Sequence, residues 1–395
     1  MSASTMRHLR LTSASQDLNP RAGPVRLAAR PWGRGWGRGV ATVSKVALGW
    51  RSMQSSAVPA TLEAVLDPEW LGWALDDIGD ADRVVGVEET GSSKTLAQKV
   101  RFRVTVEGSD GQRRSKAYCV KAHLDGSPGS DLVAEARFYR DLAPRLEVRM
   151  PRPYYTAVDE SAAQAMVIMD DVVGGGGRFL SAHSPYSLDV TRDSLGQLAR
   201  LHASTWSGAR SADLGWLSPR LGEMAALFPQ DVLQSLLDDG RCADVAPELH
   251  DAGTLIEAVR RTAAHAITCV IHGDTHSGNV YLDRDGRAHW LDWQVVQLGN
   301  WATDISYHLA TVLDVETRRA HEAELLRHYL GELESLGGPA IGWEAAWEMY
   351  TLSFSYGYFL WAITRISSRA VVLVHMPRLA AALADHDTFR RLGVI

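Results

Sequence analysis

The stretch Val270-Ile-His-Gly-Asp-Thr-His-Ser-Gly-Asn-Val-Tyr-Leu282, followed closely by His289-Trp-Leu-Asp-Trp-Gln294, decides how the rest of the chain is read. Its skeleton is His272, Asp274 two residues on, Asn279 five further, and Asp292 thirteen beyond that. Short apolar runs flank the polar residues, which predicts a compact strand, loop and strand from Cys269 to Trp293. A lone loop aspartate is ordinarily a turn or capping residue. Here two acids and an amide recur at set intervals, and the chain holds only three asparagines, Asn19, Asn279 and Asn300.

Moving a phosphoryl group from ATP to a hydroxyl needs a carboxylate that orients and deprotonates the attacking group, together with oxygen ligands for magnesium. Asp274 suits the first task. Asn279 and Asp292 suit the second, because Mg²⁺ prefers hard oxygen donors and keeps several waters. Kinase-like sites, which this pattern resembles, also carry a strand lysine on the α- and β-phosphates, oriented by a helix glutamate. Tyr118-Cys-Val-Lys-Ala122 places Lys121 on a predicted strand, and Glu135 follows fourteen residues later on a predicted helix, Asp131 to Leu142. Lysine is scarce: Lys45, Lys94, Lys99, Lys116 and Lys121 are the only five among 41 basic residues, so this placement carries weight.

These segments resemble the catalytic and metal loops of the aminoglycoside phosphotransferase and choline kinase group, within the protein-kinase-like fold, and more particularly its ecdysteroid-kinase-like branch. The shared pattern is H-G-D-x-x-x-x-N followed by L-D-W-Q, and the resemblance runs from about Leu62 to the C-terminus. It implies an α+β, bilobal protein that binds ATP and Mg²⁺ and phosphorylates a hydroxyl of a small molecule. It implies further that Lys121 and Glu135 hold the nucleotide phosphates, and that Gly91-Ser-Ser-Lys-Thr95 is a loop covering them through Ser92 and Ser93. Met166-Val-Ile-Met-Asp-Asp-Val172 resembles the hinge, with Asp170 and Val172 at the adenine. His272 is implied to hydrogen-bond within the catalytic loop, and Asp304, in Trp301-Ala-Thr-Asp-Ile-Ser-Tyr307, to brace it. Two departures stand out: the Gly91 loop has one glycine where protein kinases have G-x-G-x-x-G, and Asp170 and Asp171 stand where Glu is more usual.

Working outward, the spacing predicts short helices from Thr61 and Pro68, then strands over Val84 to Glu89, Leu96 to Val106, Ala117 to His123, Tyr154 to Val158 and Ala165 to Met169. Beyond Gly174-Gly-Gly-Gly177 the pattern is helical: Leu188 to Trp206, Asp251 to Ile267, Glu316 to Leu336, Trp343 to Ile366 and Val371 to Ala384. Three parts are expected: a basic leader over 1–55 without a stable fold, with Met53 a plausible initiator; a nucleotide-binding lobe over 56–173; and a catalytic, acceptor-binding lobe over 174–395. Trp347, Tyr350, Phe354, Tyr358 and Trp361 recur at steps of three or four, a core stripe. Tyr356 and Phe359 fall off it, so a second aromatic face could wall an acceptor pocket. That helix offers only Glu344 and Glu348 as acids, which favours an apolar or ring-shaped acceptor over a polycation.

Composition narrows the function. The net charge of -6 combines nine basic residues against one acid in 1–55 with an acidic body over 56–395. An acidic body argues against a nucleic-acid groove, which needs clustered cations to displace counterions from phosphates. No apolar run reaches the roughly 18 residues of a membrane span. Three widely spaced cysteines without a C-x-x-C pair fit a reducing, cytoplasmic home. A zinc reading of His272, Asp274 and His276 lacks a further histidine at a recognised spacing. The remaining rival is a nucleotide-binding protein without transferase activity, for which Asp274 would have no use.

Overall fold

The computed structural model describes residues 58–94, 97–124, 129–206, 214–243 and 245–395. The leader expected over 1–55, with Met53, lies outside the described residues, as do Thr95 and Leu96.

Two short helices open the described chain, each started by a side-chain cap. Thr61 Oγ1 accepts from Ala64 N ahead of α1 (Leu62–Val65), and Asp67 Oδ1 accepts from Trp70 N at 2.8 Å ahead of α2 (Pro68–Ala74). A five-stranded antiparallel sheet follows, made of β1 (Arg83–Lys94), β2 (Gln98–Glu107), β3 (Arg113–Ala122), β4 (Pro153–Asp159) and β5 (Gln164–Asp170), in the order β1-β2-β3-β5-β4. Alternation sorts its faces. Val100, Phe102 and Val104 of β2 and Tyr118 and Val120 of β3 are buried in one core, which leaves Lys99, Arg101, Cys119 and Lys121 on the opposite face. On that side lies α3 (Ser130–Arg137), which packs on β5 and runs into a π-helical turn, Phe138–Leu142.

From residue 188 onward helices dominate. α4 (Leu188–Thr205) precedes α5 (Leu221–Leu227), α6 (Gln230–Leu236) and α7 (Ala252–Ala263). Small ladders then build the loops of interest: β6 (Arg178–Phe179) pairs with β8 (Val280–Leu282), β8 with β9 (Ala288–Trp290), and β7 (Cys269–Ile271) with β10 (Gln297–Gly299). Behind them runs α8 (Trp301–Val312), buried along its whole length. The chain ends in α9 (Val315–Ser335), α10 (Trp343–Leu352), α11 (Phe354–Ile363), α12 (Arg369–Asp385) and α13 (Thr388–Arg391). The α+β organisation expected from the sequence, an antiparallel sheet followed by a helical region, is therefore present. Among the described residues no helix is long and apolar enough to cross a membrane.

Two local readings change. β1 continues through Lys94, because Ser92 and Ser93 pair with Val100 and Lys99. The single helix expected over Trp343 to Ile366 is two, divided at Ser353, whose hydroxyl donates to the Met349 carbonyl at 2.8 Å and competes with the helical ladder.

A buried ion network ties the last helices together. Arg318 of α9 is 1% exposed; its guanidinium donates to Glu322 at 2.7 Å and pairs with Asp385 of α12, while Tyr350 of α10 donates to Glu322 at 2.9 Å. Removing one member of a buried pair leaves the others charged without compensation. Arg318→Ala is expected to lower stability by about 3 kcal/mol in urea unfolding; a loss under about 1 kcal/mol, the surface-pair range, would contradict this account of the network.

Candidate active site

Lys121 is the most heavily engaged cation on the second face of the sheet. Its Nζ lies 2.5 Å from Glu135 Oε2 on α3 and 2.8 Å from Asp292 Oδ1 on the loop after β9. Lys99, directly opposite Lys121 in the β2–β3 ladder, comes within 3.6 Å of Asp292 Oδ2. Burial opposes the charge on Lys121, but the two carboxylates outweigh it and raise its pKa. Burial likewise pushes Asp292 up, and there Lys121 and Lys99 win, holding the carboxyl well below its usual range. For Glu135, completely enclosed, burial dominates and raises the pKa. Asp292 has a left-handed backbone, φ 65 and ψ 68, a region in which aspartate is among the more tolerant residues. The next side chain anchors it: the Trp293 ring stacks on Phe138 at 3.9 Å and sits 4.4 Å from the His272 ring.

Around Lys121 the sheet and the loops line a cleft. Its lining joins Lys99, Arg101 and Lys121 to an apolar set that includes Met169, Val172, Phe179 and Leu291. Asp170 and Asp171 also line it. The Asp170 carboxylate is occupied, accepting from Tyr154 OH at 2.6 Å and from Arg152 N at 3.0 Å, and its own N–H donates to the Arg152 carbonyl. Ser92 and Ser93 are not among the cleft-lining residues; both are exposed on β1.

The loop after β7 is organised by backbone donors. Asp304 of α8, fully buried, accepts from His272 N at 2.7 Å and Gly273 N at 2.9 Å, and its carbonyl accepts from Thr275 Oγ1 at 2.8 Å. His202 of α4 lies 3.2 Å from the same carboxylate. Gly273 has φ +79, and a Cβ there would meet the Val295 carbonyl at 2.5 Å. His272 Nδ1 accepts from Asp274 N at 3.2 Å, so its proton is on Nε2, which donates to the Leu291 carbonyl at 3.1 Å. Burial lowers the His272 pKa, in keeping with that neutral ring.

Asp274 is thereby held at the loop's edge, 19% exposed. Asn279 Nδ2 donates to its Oδ2 at 2.9 Å and to its carbonyl at 2.8 Å, and Tyr307 of α8 donates to Oδ1 at 3.1 Å. Burial pushes this carboxyl up, but the nearby His276 ring outweighs it and leaves the pKa below its ordinary value. Burial and the Asp274 carboxylate hold the Tyr307 phenol well above its usual range, so it remains a donor. Asn279 and Asp292 belong to neighbouring loops joined by Leu291 N donating to the Asn279 carbonyl at 3.1 Å. Among the described residues no group of three His, Cys, Asp or Glu side chains is arranged to hold a metal.

Of the residues singled out in the sequence, Lys121, Glu135, Asp170, Val172 and Asp292 thus line one cleft, while His272, Asp274, Asn279 and Asp304 form a bonded loop linked to it through Leu291. Tyr356 and Phe359 do not wall a pocket: both are fully buried, Tyr356 donating to the Gly273 carbonyl and Phe359 packing against Phe228. Sequence reasoning overlooked Tyr307 and Lys99. For Lys99 a signal existed, since it is one of five lysines and shares the Lys121 face once the hairpin register is fixed.

A family model supports what this geometry suggests. The chain belongs to the phosphotransferase enzyme family APH, whose model matches residues 95–343, a span containing Lys121, Asp274, Asn279 and Asp292. Among solved structures, the chain is similar to spectinomycin phosphotransferase in complex with ADP and spectinomycin, at 11% identity and TM-score 0.45, covering 81% of this chain and 97% of that one. It is similar also to macrolide 2′-phosphotransferase from Brachybacterium faecium, at 18% identity and TM-score 0.40 over 82% and 97% of the two chains. A third is choline kinase from Streptococcus pneumoniae, at 14% identity and TM-score 0.42 over 76% and 94%. No curated protein sequence matches the chain.

Gly273 offers a direct check on the loop. An alanine would combine left-handed strain with a collision against backbone, so Gly273→Ala is expected to cost about 1–3 kcal/mol. An unchanged thermal midpoint would contradict the geometry described.

Proposed function

We propose that the protein is an ATP-dependent O-phosphotransferase, of the ecdysteroid-kinase-like branch, that transfers the γ-phosphoryl group to a hydroxyl of a small, ring-shaped or apolar acceptor. The observation that carries this reading is the cleft in which Lys121 stands between Glu135 and Asp292, next to a loop where Asn279 and Tyr307 both donate to the Asp274 carboxylate.

In this reading Lys121, backed by Lys99 and Arg101, holds the nucleotide phosphates, and the apolar lining by Met169, Val172 and Phe179 takes the base. The Asp170 N–H is already spent on Arg152, so a hydrogen bond to adenine falls to its neighbours. Asn279 and Asp292 suit magnesium by donor chemistry. One is a carboxylate; the other is an amide whose nitrogen is committed to Asp274, which leaves its oxygen as the ligand atom. When bound, the ion neutralises charge on the transferring group. Asp274, ionised, orients the acceptor hydroxyl and takes its proton as the new bond to the γ-phosphorus forms and the bond to the ADP oxygen breaks. For the acceptor, the segment Trp343 to Ile366 offers only Glu344 and Glu348 as acids, which favours an uncharged compound over a polycation.

Asp274→Asn keeps the shape and removes the base. Turnover of ATP against a panel of hydroxylated compounds is expected to fall by about 100- to 10,000-fold, with ATP affinity in calorimetry retained. Full activity in that variant would sink the assignment, and binding without turnover on any acceptor by the wild type would favour a nucleotide binder. Chelation of divalent ions is expected to abolish transfer and to be reversed by added Mg²⁺; transfer that survives chelation would exclude the metal role given to Asn279 and Asp292.

A further inference from the structure

His276 has a feature that its neighbours do not explain. It caps the short 3-10 turn Ser277–Asn279, its Nδ1 accepting the Gly278 N–H at 3.0 Å. A backbone N–H is only a donor, so Nδ1 carries no proton and the neutral ring carries its proton on Nε2. That Nε2 lies 3.6 Å from Asp274 Oδ2, just outside hydrogen-bond contact, a separation of the kind that closes when a catalytic site fills. The ring cannot easily turn away. Trp361 meets it edge-on at 5.2 Å, while His375 and Tyr307 stand 5.9 and 6.4 Å from its centre.

An ionised carboxylate has about four lone-pair sites, two on each oxygen. On Asp274, Asn279 takes one at Oδ2 and Tyr307 one at Oδ1. We propose that His276 is a positioning residue for Asp274, its Nε2–H taking the second site at Oδ2 and thereby leaving Oδ1 as the oxygen that receives the acceptor's proton. The inference rests on the reading of Asp274 as the base. It adds which oxygen acts, and it gives the histidine a duty that a turn cap alone does not have.

The two nitrogens can be separated by substitution. His276→Asn keeps an acceptor near the Nδ1 position, so the cap survives, but loses the donor to Asp274. His276→Gln reaches Asp274 with an amide N–H and weakens the cap. With MgATP and water as the phosphoryl acceptor, the Asn variant is expected to lose about tenfold or more in kcat with KM for ATP and melting temperature little changed. The Gln variant is expected to recover most of that kcat while melting lower. A purely structural cap predicts the reverse order, and that result would overturn the proposal. Independently of any turnover, ¹⁵N NMR of histidine-labelled wild type, assigned by the loss of signal in His276→Asn, is expected to show a bare Nδ1 and a protonated Nε2. A proton on Nδ1 would overturn the proposal even if the enzyme is active. Absent ATP turnover in wild type together with the expected tautomer would instead count against Asp274 as the base, and with it the proposal.

Discussion

One ammonium group, that of Lys121, sits out of water between carboxylates delivered by two different parts of the chain. A buried lysine without partners would lose its charge. With Glu135 on one side and Asp292 on the other, and Lys99 behind Asp292, two positive and two negative groups balance within a few ångströms. That requirement fixes a good deal at once. β3 must present Lys121 on the face away from its apolar core, α3 must lie against β5 so that Glu135 reaches inward, and the loop after β9 must turn through a left-handed residue to bring Asp292 across. The stacking of Trp293 on Phe138 supports the same junction with apolar contact.

The loop that carries Asp274 meets a second constraint, the need to pair every buried backbone donor. A loop has no ladder, so side chains supply the partners. Asp304 takes two consecutive N–H groups, and His272 takes a third with one nitrogen while spending the other on the Leu291 carbonyl. Tyr356 closes the Gly273 carbonyl from α11. Because α8 and α11 are packed on nearly all sides, these partners have little room to move, and the carboxylate at the loop's edge inherits that rigidity.

This division explains what was legible in the sequence. Lys121, Glu135, Asp274, Asn279 and Asp292 are spaced by local chemistry and short elements, so residue types at fixed intervals reveal them. The α+β order is equally visible, because period-two and period-3.6 patterns occupy separate stretches. Contacts set by packing are not. Tyr307 reaches Asp274 from a helix thirty-three residues on, and nothing local marks it. Lys99 needs the hairpin register before it can be set beside Lys121. Ser92 and Ser93 read as loop until cross-strand pairing extends β1 through them. Tyr356 and Phe359, off the aromatic stripe, looked available to a ligand; in fact α7, α8 and α12 surround α11, and no helix face is left for a pocket wall there.

The most direct measurement is a crystal structure of the protein soaked with a non-hydrolysable ATP analogue and Mg²⁺. The expected result has the α- and β-phosphates within hydrogen-bond distance of Lys121, the base among Met169, Val172 and Phe179, and a divalent ion on Asn279 and Asp292 with the γ-phosphate facing Asp274. A nucleotide bound outside this cleft, or one seated in it with its terminal phosphate turned away from Asp274, would contradict the account.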